Sequence, residues 1–167
     1  MSTFVSFHPM WGWFSVSCTP EGAARITLPT FQGKPAEKQT VAPDYARDLI
    51  QKLHSYLDGE AVSFVDYPLD LGGLSLFTRK VLAVCRQIPY GEVRSYGQLA
   101  LQVGSPRACR AVGQVMARNP LPLVVPCHRV VGARGSLGGF GGGLELKRRL
   151  LTLEGINVDL LGHGKGD

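Results

Sequence analysis

No apolar run in this chain approaches the ~20 residues of a membrane-spanning helix, which argues against a transmembrane class. The opening MSTFVSFHPMWGWFSV lacks a basic stretch followed by an uninterrupted apolar one, so no signal peptide is read. The expected compartment is the cytoplasm, or the nucleus in a eukaryote. Cysteine is scarce: Cys18, Cys85, Cys109 and Cys127 are the four, with no C-x-x-C spacing. That pattern favours neither a zinc ribbon nor a disulfide framework. His8 and Cys18 alone do not make a metal site, so no metal and no cofactor are expected. Cys85 and Cys109 fall in helical patterns and read as small buried apolar residues, with a bridge between them left open. No internal repeat or low-complexity tract is present. The glycine-rich segment 138–143 has no strand before it and no Lys-Ser/Thr ending, which excludes a phosphate-cradling loop.

What the chain does have is a globular balance, 44% hydrophobic and 19% charged, over 167 residues. This suffices for one domain or two small lobes sharing a core. Charge is unevenly spread. Residues 1–70 hold five Lys/Arg against eight Asp/Glu, whereas 71–167 hold thirteen against five. A basic half on a soluble chain is common, but one that also carries paired short helices points to a nucleic-acid partner.

The pattern predicts an α/β chain. Phe4–Thr19 divides at Trp11-Gly12-Trp13 into two strands, and Ala24–Leu28 adds a third. Residues 31–40 read as a loop. Pro43 opens a helix lined by Tyr45, Leu49, Leu53 and Tyr56 and stopped at Asp58-Gly59. Val62–Tyr67 alternates as a strand. Leu71-Gly72-Gly73 marks a boundary. Ser75 then caps a helix with Phe77, Val81, Val84 and Ile88 inward. Ser95 caps a short helix to Val103, Gly104 turns, and a second helix runs from Ser105-Pro106 to about Arg118, burying Ala108, Ala111, Val112, Val115 and Met116. That arrangement fits a helix-turn-helix. A last helix spans Leu144–Leu153, with Leu146, Leu150 and Leu153 inward. The expectation is a small N-terminal α/β lobe (1–70) packed on a mostly helical C-terminal lobe (74–160), with a flexible tail over 161–167.

The chemistry concentrates at Pro126-Cys127-His128-Arg129, after the apolar run Leu121–Val125, which reads as a short buried strand delivering the cysteine. A cysteine is a strong nucleophile as its thiolate, and an imidazole can take its proton near neutral pH. Adjacency alone equally describes a buried, inert cysteine. The surrounding motifs decide.

IPYGEVRSYGQLA at 88–100, RACRAVG at 107–113, NPLPLVVPCHRVVG at 119–132, GGFGGG at 138–143 and LLTLEG at 150–155 occur in this order. With them, Ile88 to Gly155 resembles the O6-alkylguanine-DNA alkyltransferases, single-turnover DNA repair proteins. The first 70 residues resemble them weakly. The resemblance implies a monomer that binds double-stranded DNA through its minor groove and extrudes O6-alkylguanine. It then moves the alkyl group to its own Cys127, and O4-alkylthymine is an expected second substrate. A base buried in the stack must be flipped before a thiol can reach it, at a cost of a few kcal/mol.

By that resemblance Cys127, a water, His128 and Glu154 form a relay. Tyr96 donates to the leaving base, and Arg110 is the finger that replaces the extruded nucleotide. Arg107, Ser95, Ala108 and Arg118 flank it as DNA contacts. Val130 and Cys127 offer carbonyls and Gly141 an amide to the base, while Phe140 and Pro122 wall the pocket. Asn119 braces the chain around the thiol, in a structural or a catalytic role. The family often has a hydroxyl residue at Gly141 and a tyrosine at Phe140, so side-chain contributions there are lost. Taken singly, Arg110 reads as a phosphate contact, Tyr96 as a half-buried helix-start aromatic and Glu154 as a solvated helix end. Two other readings compete. An alkyltransferase-like lesion-binding protein would replace the nucleophile, which Cys127 argues against. A Cys-His hydrolase leaves the basic half unexplained.

Overall fold

The structure is a computed structural model that describes residues 1–36 and 43–161. Residues 37–40 of the expected loop, and all of the expected tail except Leu161, lie outside the described residues. The chain divides into two compact units, 1–73 with 120–123, and 74–119 with the chain from 124 onward. Among the described residues it is a mixed α/β chain with six α-helices and two small sheets.

In the first unit, alternating β-branched and aromatic residues form an antiparallel sheet of β1 (Ser2–His8), β2 (Gly12–Thr19) and β3 (Gly22–Thr30). Phe4 pairs with Val16, and both are buried. The β1–β2 turn needs Gly12, whose φ is +93° and whose added Cβ would lie 2.3 Å from the Thr30 carbonyl oxygen. Helix α1 (Asp44–Leu57) packs on β1 and β2 through Ala46, Leu49, Leu53, Tyr56 and Leu57. Pro43 is its N-cap rather than its first helical residue. The expected strand over 62–67 does not form. The chain pairs with β3 further on, where the Ala23 amide donates to the Pro68 carbonyl (2.9 Å) and the Asp70 amide to Ala23 (2.8 Å). Phe64 and Tyr67 are buried without a ladder.

The second unit begins with α2 (Leu76–Arg86), capped by Ser75, whose hydroxyl accepts from the Thr78 amide at 3.1 Å. Val81, Leu82 and Cys85 form its buried face, and Phe77 and Val84 are half-buried. Two-residue β4 (Arg94–Ser95) leads into α3 (Tyr96–Gln102). There Ser95 and Gln98 cap each other's backbone amides, at 3.1 and 2.8 Å. Gly104, at φ +77°, turns the chain. The next helix, α4 (Cys109–Ala117), starts later than expected because Ser105–Ala108 close a separate turn (Ala108 amide to Ser105 carbonyl, 2.9 Å). Only Val112 and Met116 of its apolar residues are buried, and Ala108, Ala111 and Val115 are half-buried. Helices α2, α3 and α4 pack on one another. Cys109 is exposed, not buried, and all four cysteines are free, so no Cys85–Cys109 bridge exists.

Residues 121–125 do not form the expected delivering strand. Pro120, Pro122 and Pro126 supply no amide to a ladder, and Leu123 adopts a left-handed φ of +72°. Cys127 instead opens a 3-10 turn, Cys127–Arg129, that runs into β5 (Val130–Val131). Strand β5 pairs in parallel with β4, Val130 opposite Arg94 and Val131 opposite Ser95, so the cysteine turn is registered against the start of α3. Helix α5 (Leu144–Leu153) buries Lys147, Leu150 and Leu151, while Leu146 and Leu153 are half-buried. A one-turn α6 (Val158–Leu161) follows. No described helix is long and apolar enough to cross a membrane.

Candidate active site

Every residue from Leu121 to Val131 is buried, and Cys127 retains 6% of its exposure. Burial pushes its thiol above the ordinary value. A hydrogen bond from Asn119 and the positive charge of Lys147 pull the other way. Asn119 also donates its side-chain amide to the Val125 carbonyl at 2.8 Å, closing the turn that leads to the cysteine.

His128 is fully buried, and burial, together with the charges of Arg129 and Lys147, draws its imidazole below the usual range. Its Nε2 lies 2.7 Å from Glu154 Oε1. Glu154 caps the C-terminal end of α5, where a carboxylate opposes the helix dipole, and its side chain is fully enclosed. Burial alone would raise its carboxyl. Hydrogen bonds and charge from His128 and Arg129 outweigh that and hold it at about 2. Arg129 Nε reaches both oxygens (3.0 and 2.9 Å), Nη2 reaches Oε1 (2.9 Å), and the Gly91 amide donates to Oε2 (3.0 Å). The remaining fork of Arg129, Nη1, donates to the Ile88 carbonyl at 2.7 Å, and its guanidinium lies 5.7 Å over the Tyr90 ring.

Tyr96 opens α3 half-buried. Burial and the neighbouring Cys127 raise its phenol, which therefore stays protonated and able to donate at neutral pH. A Cβ on Gly138 would meet its hydroxyl at 2.9 Å, and one on Gly113 would come within 4.0 Å of its ring. Glycine at both places lets the loop and α4 close on the phenol. Lys147 ties that loop down. Its fully buried ammonium donates to the carbonyls of Val130 (2.6 Å), Leu137 and Gly139 (3.4 Å). Burial lowers it to about 8, against the opposing influence of Cys127.

The structure thus brings Cys127, His128, Glu154, Asn119, Tyr96 and Val130 into one buried neighbourhood of the second unit. Phe140 is half-buried and Gly141 exposed in the glycine-rich loop, where a Cβ on Gly141 would lie 3.6 Å from the Ala117 carbonyl. Arg107, Arg110 and Arg118 are exposed before, on and after α4, with Ala108 half-buried as its N-cap. Ser95 spends its hydroxyl on the cap of α3. Pro122 is buried and is grouped with the first unit. Sequence reasoning missed Arg129 and Lys147. Arg129 follows the Cys-His pair directly. Lys147 interrupts a leucine stripe at the i, i+3, i+4 positions of Leu150 and Leu151, the spacing that marks a buried face.

Residues 76–156 match the family model described as 6-O-methylguanine DNA methyltransferase, DNA binding domain. A methylated-DNA–protein-cysteine methyltransferase from Mycolicibacterium paratuberculosis is 52% identical over 105 residues, which are 63% of this chain and 62% of the relative. The match to this mycobacterial relative therefore spans less than two thirds of its length. One of the same description from Methanosarcina acetivorans is 45% identical over 112 residues, 67% of this chain and 70% of the relative. Among solved structures, the Mycobacterium tuberculosis OGT in complex with DNA aligns over 97% of this chain and 99% of that one, with 35% identity and a TM-score of 0.78. The O6-methylguanine-DNA methyltransferase of Pyrococcus kodakaraensis covers 93% and 99%, with 26% identity and a TM-score of 0.71.

Proposed function

The chain belongs to the 6-O-methylguanine DNA methyltransferase family, and from that premise we propose that it repairs DNA by taking the alkyl group of O6-alkylguanine onto Cys127, once per molecule. The observation that carries this reading is the fully enclosed His128–Glu154 pair, 2.7 Å apart, beside an almost fully buried thiol. A buried acid–imidazole pair next to a cysteine is the arrangement for activating a thiol.

With Nε2 engaged by Glu154, the other ring nitrogen, Nδ1, serves the thiol, through a water as in the family relay. The thiolate attacks the alkyl carbon in line, the S–C bond forms, and the C–O6 bond breaks. Its electron pair passes to the guanine, where the Tyr96 hydroxyl supplies a hydrogen bond or proton. The thioether is stable, and nothing in the mechanism regenerates the thiol. Helices α3 and α4 act as a helix-turn-helix on duplex DNA in the minor groove, with Arg110 as the finger that fills the vacated stack and Arg107, Ala108, Arg118 and Ser95 beside it. The Gly141 amide and the Val130 and Cys127 carbonyls read the flipped base against Phe140. The domain division proposed with this reading is an N-terminal lobe over 1–70 and the alkyltransferase domain over 74–160.

The test is intact-mass analysis after mixing the protein with duplex DNA containing O6-methylguanine. The expected product is one methyl group heavier, at most once per chain, with Cys127 modified. Repeated turnover, or methyl on Cys18, Cys85 or Cys109 instead, overturns the mechanism. Binding without any transfer would leave a lesion-recognition protein.

A further inference from the structure

We propose that Arg129 is a positioning residue for the transfer reaction. By spanning both oxygens of Glu154 it answers the carboxylate's charge, fixes the imidazole proton on Nε2, and keeps His128 neutral so that Nδ1 acts as the base. The inference rests on the reading above.

The geometry is that of a fixed ion pair rather than a shared proton. Arg129 is 5% exposed, and its side chain is anchored at three sites: two carboxylate oxygens, the Ile88 carbonyl, and the face of Tyr90. A guanidinium does not give up its proton in a protein, and its planar fork presents N–H donors side by side to one carboxylate, a fixed geometry that an ammonium lacks. The Glu154 carboxylate therefore meets a permanent cation whatever the state of the imidazole. Without it, a buried carboxylate at 2.7 Å would be answered chiefly by His128, and the imidazole would hold a second proton.

Of the charged groups facing the ring, Glu154 favours the imidazolium, whereas Arg129 and Lys147 oppose it. Glu154 and Lys147 approach from α5, Arg129 and Cys127 from the turn itself, and the neutral phenol of Tyr90 lies over Arg129. Cys85 on α2 and Tyr96 on α3 lie on the thiol side. One carboxylate against two cations leaves no net negative charge to hold an imidazolium. The carboxylate still orients the ring, because Nε2–H donates to it.

The test reads the imidazole directly by 15N NMR. In the unmodified protein at about pH 7, His128 is expected to be neutral with its proton on Nε2. An imidazolium there, or a proton on Nδ1, overturns the proposal without any variant. In a Cys127→Ser background, which removes the coupled thiol titration, Arg129→Gln is expected to raise the His128 midpoint by about one pH unit or more. Arg129→Lys, which keeps the charge, should shift it far less. A midpoint unmoved in folded Arg129→Gln, or moved equally by both variants, also overturns it. If Arg129→Gln fails to fold, the tautomer of the unmodified protein decides alone. Absence of methyl gain by the unmodified protein would instead overturn the alkyltransferase reading, and the His128 measurement would stand apart from that result.

Discussion

The side-chain amide of Asn119 donates to the carbonyl of Val125 at 2.8 Å, bridging the Pro-Leu-Pro bend and fixing the chain two residues before Cys127. Asn119→Ala leaves that buried carbonyl short of a donor and removes a hydrogen bond to the thiol. The expected outcome is a loss of about 1–3 kcal/mol in stability and a slower single-turnover transfer rate. Binding to undamaged DNA should be unchanged, since that bond contributes nothing to the surface of α4. Equal rates for Asn119→Ala and the parent protein would assign the residue to folding alone.

Gly138 stands at φ +67°, and the Tyr96 hydroxyl lies 2.9 Å from where its Cβ would be. Gly138→Ala therefore meets two penalties, a left-handed backbone cost of about 1–2 kcal/mol and a contact of 2.9 Å between the new methyl and the phenol. The transfer rate should fall and the Tyr96 titration should move, while the far-ultraviolet circular dichroism stays that of the parent. Gly139→Ala is the control, because nothing lies within 4 Å of a Cβ there.

Acid should destabilise the protein through the buried His128–Glu154–Arg129 cluster. Glu154 is held at about 2, below its ordinary 4.5, so its contribution is complete above about pH 4.5 and disappears as pH falls towards 2. His128 is depressed below 6.5 in the folded state, and the unfolded chain binds its proton first. Its contribution is lost in the same direction, starting near pH 6.5. Urea midpoints measured from pH 7 to pH 3 should fall steadily. Glu154→Gln should start lower at pH 7 and lose the part of the slope that lies below about pH 4.5. A parallel slope in the variant would place the acid sensitivity elsewhere.

Arg110→Ala separates a finger from an ordinary cation. A phosphate contact removed should weaken binding to all DNA alike and lower the salt slope by about one unit. A finger removed should slow transfer from a paired lesion. Its effect should be much smaller where the lesion is mismatched or single-stranded, because the few kcal/mol of flipping are then largely spared. The same slowing on both substrates would make Arg110 a phosphate contact.

Legibility in the sequence followed the range of the forces involved. Ser75 and Ser95 announced their helices because a cap is decided within four residues, and Leu49 and Leu53 marked α1 by spacing alone. Residues 62–67 and 121–125 misled because alternation and apolar runs say nothing about whether a partner strand lies alongside. Cys127 and His128 stood out as neighbours. The connection of Arg129 to Glu154, 25 residues away, depends on α5 ending against the cysteine turn, and no local pattern encodes that meeting. Lys147 was hidden by the rule that lysines face water, which fails where three carbonyls wait inside.

The enclosure of Cys127 also bears on how long an unused molecule lasts. A protein consumed in a single event is worth only as much as the fraction of its copies still carrying a free thiol when damage arrives. At 6% exposure, with its thiol pushed above the ordinary value, Cys127 is poorly reachable by peroxide, glutathione disulfide and soluble alkylating agents, all of which select exposed thiolates. Exposed Cys109 has no such shelter and should be the first of the four to be spent on them. On the proposed function, the same enclosure of Cys127 would serve both the shelf life of the thiol and its selectivity.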